Sequence, residues 1–187
     1  FVTALFLYPL LFGILAVAPS FVKFLGSKWE PALPLIYLFS INTFWATLST
    51  SATNFLNATG KITTTLKLMV MWTALEWGLA PLFTLKFGFV GMGISTALIS
   101  FTSLIPIFII KKETGAQFIK NIWQPLVASI LMSILILPLT VLLDGKPPTI
   151  IIMILFGGLL YLAFIYLLAP YKFKATIKEV KLAFFNK

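Results

Sequence analysis

Six stretches of this 187-residue chain stay apolar for roughly twenty residues each, and no other feature restricts its folding as much. The hydrocarbon core of a bilayer is about 30 Å thick, and a helix rising 1.5 Å per residue crosses it in about 20 residues. The runs 1–19, 33–57, 66–85, 89–110, 122–143 and 149–169 meet that length with few charges, and we designate them helices A to F. Between them lie Gly26-Ser27-Lys28, Gly60-Lys61, Lys86-Phe87-Gly88, Lys111-Lys112-Glu113-Thr114-Gly115 and Asp144-Gly145-Lys146-Pro147-Pro148. Such short, glycine- and proline-marked breaks make neighbouring spans antiparallel. A membrane barrel does not fit, because the runs are about twice strand length and do not alternate polar with apolar. The expected fold is all-α, a polytopic membrane bundle of six transmembrane helices.

Composition closes off the other classes. The chain is 60% hydrophobic and 10% charged, against roughly 45–50% and about 25% in soluble domains. With no cysteine and no histidine, it lacks thiolate chemistry, the commonest general base and the usual transition-metal ligands. No cofactor and no metal are expected. Intramembrane hydrolases and transferases need a nucleophile–base pair, paired carboxylates or a metal. The acids Asp144 and Glu113 fall on opposite sides of the membrane, so an enzyme is not expected. The net charge of +9 comes from fourteen lysines and no arginine, placed mostly between the apolar runs. That is the fringe of a membrane protein rather than a nucleic-acid surface.

Alternating spans put Lys61, Lys67, Lys111, Lys112, Lys120, Lys172, Lys174, Lys178, Lys181 and Lys187 on one side. Lys23, Lys28, Lys86 and Lys146 fall on the other, and the ten-to-four split marks the first side as cytoplasmic. The expected location is the plasma membrane, with both ends cytoplasmic. In the tail, Lys174, Lys178 and Lys181 recur at helical spacing beside Ile177, Val180 and Phe184. That pattern fits either a short helix lying on an anionic leaflet or a solvated end.

Polar residues inside the spans are the candidate functional groups. In helix B, Thr43, Thr47, Thr50, Asn54 and Asn57 follow steps of four and three and share one face. Lipid cannot satisfy asparagine amides, so this stripe is expected to line a hydrated cavity, with helix–helix packing as the alternative. Glu76 is the one carboxylate deep in a span. A charged acid there costs about 2.5–3.5 kcal/mol on insertion scales, so it should face the bundle interior. It is the candidate for coupling to a proton, or to sodium with nearby Thr73, although plain hydrogen bonding to a neighbouring helix is the other reading. Gly91 and Ser95, four apart, suit close packing of helix D. Pro9, Pro81, Pro106 and Pro138 should kink or break their spans.

The loop stretches Phe24-Leu25-Gly26-Ser27-Lys28-Trp29, Asn57-Ala58-Thr59-Gly60-Lys61 and Lys86-Phe87-Gly88-Phe89-Val90-Gly91, the last leading into Ile94-Ser95-Thr96-Ala97, occur in an order with a precedent. Over residues 1 to 115 they resemble the C-terminal portion of polysaccharide flippases in the multidrug/oligosaccharidyl-lipid/polysaccharide exporter superfamily. The resemblance implies a two-lobed exporter of up to fourteen helices working by alternating access, of which A to F correspond to the last six. On that basis 1–115 is second-lobe helices A to D, 116–169 is accessory helices E and F, and 170–187 is a basic cytoplasmic tail. The chain, which begins at Phe1 without a methionine, would be an incomplete transporter. The implied partners are membrane lipids, a lipid-linked glycan substrate and the missing N-terminal lobe. The family pattern leads us to expect asparagine where Glu76 stands, and no lysine lies deep in a span to meet a pyrophosphate-linked lipid. A small-molecule or drug exporter of the same superfamily, and a structural membrane subunit, are the alternative functions.

Overall fold

The computed structural model describes the backbone of residues 1–114, 118–142 and 146–185, and the side chains of 1–112, 122–140 and 146–178. Its elements are the helices α1 (Val2–Leu25), α2 (Ala32–Ala58), α3 (Ile62–Phe87), α4 (Phe89–Ser100), α5 (Leu104–Thr114), α6 (Phe118–Leu142), α7 (Pro147–Leu168) and α8 (Pro170–Phe185). Short 3-10 segments occupy Ser27–Trp29 and Phe101–Ser103. Among the described residues there is no strand, and six segments are long and apolar enough to cross a membrane, with α4 and α5 counting as one. The chain is an all-α, multi-pass membrane protein.

Most helices overrun the apolar runs that announce them. Helix A continues through Ser20–Leu25 until Gly26, and helix C begins at Ile62 instead of 66. At the end of α2 the Lys61 amide donates to the Leu56 carbonyl (2.8 Å) and the Gly60 amide to Asn57 (3.1 Å). These two bonds satisfy carbonyls that the helix end would otherwise orphan. Of the four prolines expected to disturb spans, only Pro106 sits beside an interruption of α-helical structure. It cannot donate to the Thr102 carbonyl four residues back, and the chain tightens into the 3-10 turn Phe101–Ser103 just before it.

Contacts divide the chain into two compact units. One contains residues 1–25 and 119–187, so helix A groups with E and F rather than with B to D. Ala128, Met132 and Ile136 of α6 repeat every four residues and present one face to Ile150, Met153, Tyr161 and Ile165 of α7 and to Leu5, Ala16 and Val17 of α1. Pro9 has no N–H for the Leu5 carbonyl, and the Tyr161 hydroxyl supplies the missing donor at 2.7 Å. The tail does form a helix, α8, but its inward side carries Phe173 and buried Thr176 while Ile177 is exposed. The side chains of Val180, Lys181 and Phe184 lie outside the described residues, as do those of Glu113, Lys120, Asp144, Glu179 and Lys187. Lys172 and Lys174 place their ammonium groups 5.5 Å and 5.6 Å from the ring centres of Phe1 and Tyr166.

The other unit spans residues 26–118. Within it α4 packs on both α2 and α3. Gly91, Gly93, Ser95 and Ala97 are buried and keep α4 slender enough for both approaches. A second apolar cluster, Ala52, Leu56, Leu68 and Ile110, ties α2 and α3 to α5.

Candidate functional site: a polar cleft beside Glu76

Polar side chains of the second unit converge on a cleft of about 430 Å³ between α2, α3 and α4. Helical spacing explains the convergence. Asn42, Ala46, Ser49 and Thr50 form one face of α2, and Thr73 and Glu76 stand one turn apart on α3 beside Trp72. Thr96, Ile99 and Ser100 of α4 and Ser103 of the 3-10 turn complete the wall. Glu76 lies eleven residues before the end of α3, or about 16 Å along the helix, so its carboxyl group cannot snorkel out of the apolar layer. It is partly buried and, among the described residues, is the only titratable side chain lining the cleft.

Two hydrogen-bonded bridges fix α3 against the α4 segment. The Trp72 indole N–H donates to the Thr102 hydroxyl at 2.8 Å, and that hydroxyl donates to the Ile99 carbonyl at 2.6 Å. One turn further along α3, the Thr96 hydroxyl lies 2.9 Å from Glu76 Oε1 and 2.9 Å from the Met92 carbonyl. Trp72 is a donor only, so the first bridge has a single polarity; the second joins a titratable group to a hydroxyl that both donates and accepts. The Asn42 amide makes no side-chain hydrogen bond to the described residues, and its polar atoms remain available to the cleft.

The expected site residues are distributed unevenly. Glu76, Thr73 and Thr50 line the cleft together. Thr43, Asn54 and Asn57 are exposed in the structure and lie outside it, and Thr47 is buried elsewhere. The threonines are served by their own helix, Thr43 donating to Phe39 O (2.9 Å) and Thr47 to Thr43 O (2.8 Å). Before Thr50 the face that α2 gives to the cleft is one position earlier: Asn42 precedes Thr43 and Ala46 precedes Thr47, while Ser49 lines it beside Thr50. One position turns a helix by about 100°. Asn42, Ser49, Trp72, Thr96, Ser100 and Ser103 were not singled out by sequence reasoning. Their signal was the shared i, i+4 register of Trp72 with Glu76 and of Thr96 with Ser100.

One carboxylate, several hydroxyls and an amide suit a proton, a monovalent cation or a hydroxylated ligand. Among the described residues, no three acid, histidine or cysteine side chains converge. No protein-family model, no curated protein and no solved structure matches the chain.

Proposed function

We propose that this chain is a segment of a membrane transporter in which the Glu76 cleft belongs to the translocation path. The observation that carries this reading is the cleft itself: a carboxylate, an amide and hydroxyls gathered at membrane depth, where polar groups are costly unless they serve a pathway or a packing contact. Packing alone accounts poorly for Asn42, whose amide bonds to no described neighbour. The loop stretches around helices B to D favour a flippase for lipid-linked oligosaccharide or polysaccharide repeat units. Glu76, with Thr73 at hand, is the coupling group for a driving ion, and the protein resides in the plasma membrane.

Cysteine scanning tests this directly, because the chain has no native cysteine. Asn42→Cys and Thr73→Cys should react with a charged aqueous thiol reagent, since the thiolate forms only where water reaches it. Ala74→Cys and Gly78→Cys, which point away from Thr73 and Glu76 around α3, should stay unlabelled in lipid although both positions are exposed in the isolated chain. Equal silence at all four positions would return the cleft to helix packing and leave a structural membrane subunit as the reading.

The same background reports topology. With both ends cytoplasmic, Lys28→Cys and Lys146→Cys should be labelled by impermeant reagent from outside intact cells, and Lys112→Cys only after permeabilisation. Labelling of Lys146→Cys from the inside alone would invert the orientation.

A further inference from the structure

The bridge between Glu76 and Thr96 has a property its neighbour lacks. Thr96 Oγ1 carries one proton and stands equally far, 2.9 Å, from Glu76 Oε1 and from the Met92 carbonyl. The Met92 carbonyl can only accept, and it already receives the Ser95 hydroxyl at 2.9 Å. So the Thr96 proton can leave Met92 without orphaning that carbonyl. When Glu76 is ionised, Thr96 donates to it. When Glu76 is neutral, its O–H donates to Thr96 and the Thr96 proton turns back to Met92.

We propose that Thr96 is the proton-handling partner of Glu76, its hydroxyl keeping α3 bridged to α4 in both protonation states while the proton passes between Glu76 and the cleft. The balance is simple. Glu76 loses or gains one proton, which goes to or comes from cleft water; Thr96 keeps its own and only turns it; no bond to carbon changes. The elements packed around Glu76 offer Asn42, Ser49 and Thr50 from α2, Ser100 from α4 and Ser103 from the 3-10 turn, none of which titrates. Among the described residues, no other group lining the cleft can therefore take the proton. Trp72 and Thr102 hold the helices together one turn away whatever the state of Glu76. Thr96 is a positioning residue here, and its role gains its purpose from the transport reading above.

Infrared spectroscopy of the purified chain in liposomes tests the contact without any transport assay. Subtracting the spectrum of Glu76→Gln isolates the carbonyl stretch of neutral Glu76 at low pH and its carboxylate stretches at high pH. Thr96→Val keeps the side-chain shape and removes the hydroxyl. The neutral band should shift, because the Glu76 O–H loses its acceptor, and the carboxylate bands should shift as well, because the ionised oxygen loses a donor. Thr96→Ser should restore both. If Thr96→Val fails to assemble, Thr96→Ala gives the same two readings. A shift in only one protonation state, or in neither, overturns the proposal, as does the lack of a carboxylate band at any pH. None of those results touches the transport reading, which fails instead if the cleft cysteines are silent.

Discussion

On the transport reading proposed above, Glu76→Gln should abolish the response of transport to an imposed gradient of the driving ion, with accelerated and unaccelerated rates becoming equal. The amide matches the carboxyl in size, and its oxygen can still accept from Thr96 at the 2.9 Å separation. The fold should therefore be little disturbed, by less than about 1 kcal/mol, since Thr96 keeps its acceptor and the new amide N–H groups lie beside the polar cleft. What the amide cannot do is exchange a proton or present a charge to a cation, and among the described residues no other side chain lining the cleft can substitute. Glu76→Ala should differ. It removes the partner of Thr96 and opens space beside Trp72, so it should also destabilise the protein by about 1–3 kcal/mol. Proton and sodium gradients imposed separately identify the ion, and Thr73→Ala should weaken the response only if sodium is used. A Gln variant that still answers the gradient normally would make Glu76 a structural hydrogen-bonder.

Glu76 was legible because a carboxylate in an apolar run has few physical options, and depth alone singles it out. Its surroundings were less legible. Threonine in a span can satisfy its hydroxyl on the carbonyl four residues back, as Thr43 and Thr47 do, so a row of threonines does not say which way a helix faces. Serine at 49 and asparagine at 42 are sparser signals, yet they mark the face that counts. Length and apolarity locate spans well. They do not assign neighbours, because a helix apolar all round carries no stripe that points to a partner. Hence the grouping of α1 with α6 and α7 emerges only from interlocking side chains such as Tyr161, which caps the carbonyl that Pro9 abandons. The break in helix D was foreseeable at Pro106; its benefit, a Thr102 hydroxyl placed for Trp72, was not.

The cleft exists only because α3 and α4 approach so closely, and adding one methyl group there should undo it. Gly88 alone links the two helices, at φ +61°, a conformation that residues with a Cβ rarely adopt. With so short a turn, α4 starts its return against the last turns of α3. At Gly91 a Cβ would fall on the Phe83 carbonyl and the Thr84 amide nitrogen. Those are backbone atoms held in a helix, so they cannot rotate aside. Gly91→Ala should therefore push the helices apart at a cost of about 1–3 kcal/mol or more, the range of overpacked interiors. Gly78→Ala is the control: it lies in the same α3, with nothing within 4 Å of its added Cβ. It should stabilise the helix by up to about 1 kcal/mol, because alanine loses less backbone entropy than glycine. Gly157→Ala would clash only with the flexible end of Ile136, which can yield, and would otherwise meet Met132 at ordinary contact, so its effect should fall between the two. Unfolding curves in mixed micelles rank the three variants. Reactivity at Thr73→Cys in the Gly91→Ala background then shows whether separation has reached the cleft. A Gly91→Ala protein as stable as Gly78→Ala, with unchanged reactivity, would mean that the α3–α4 approach is not what shapes the site.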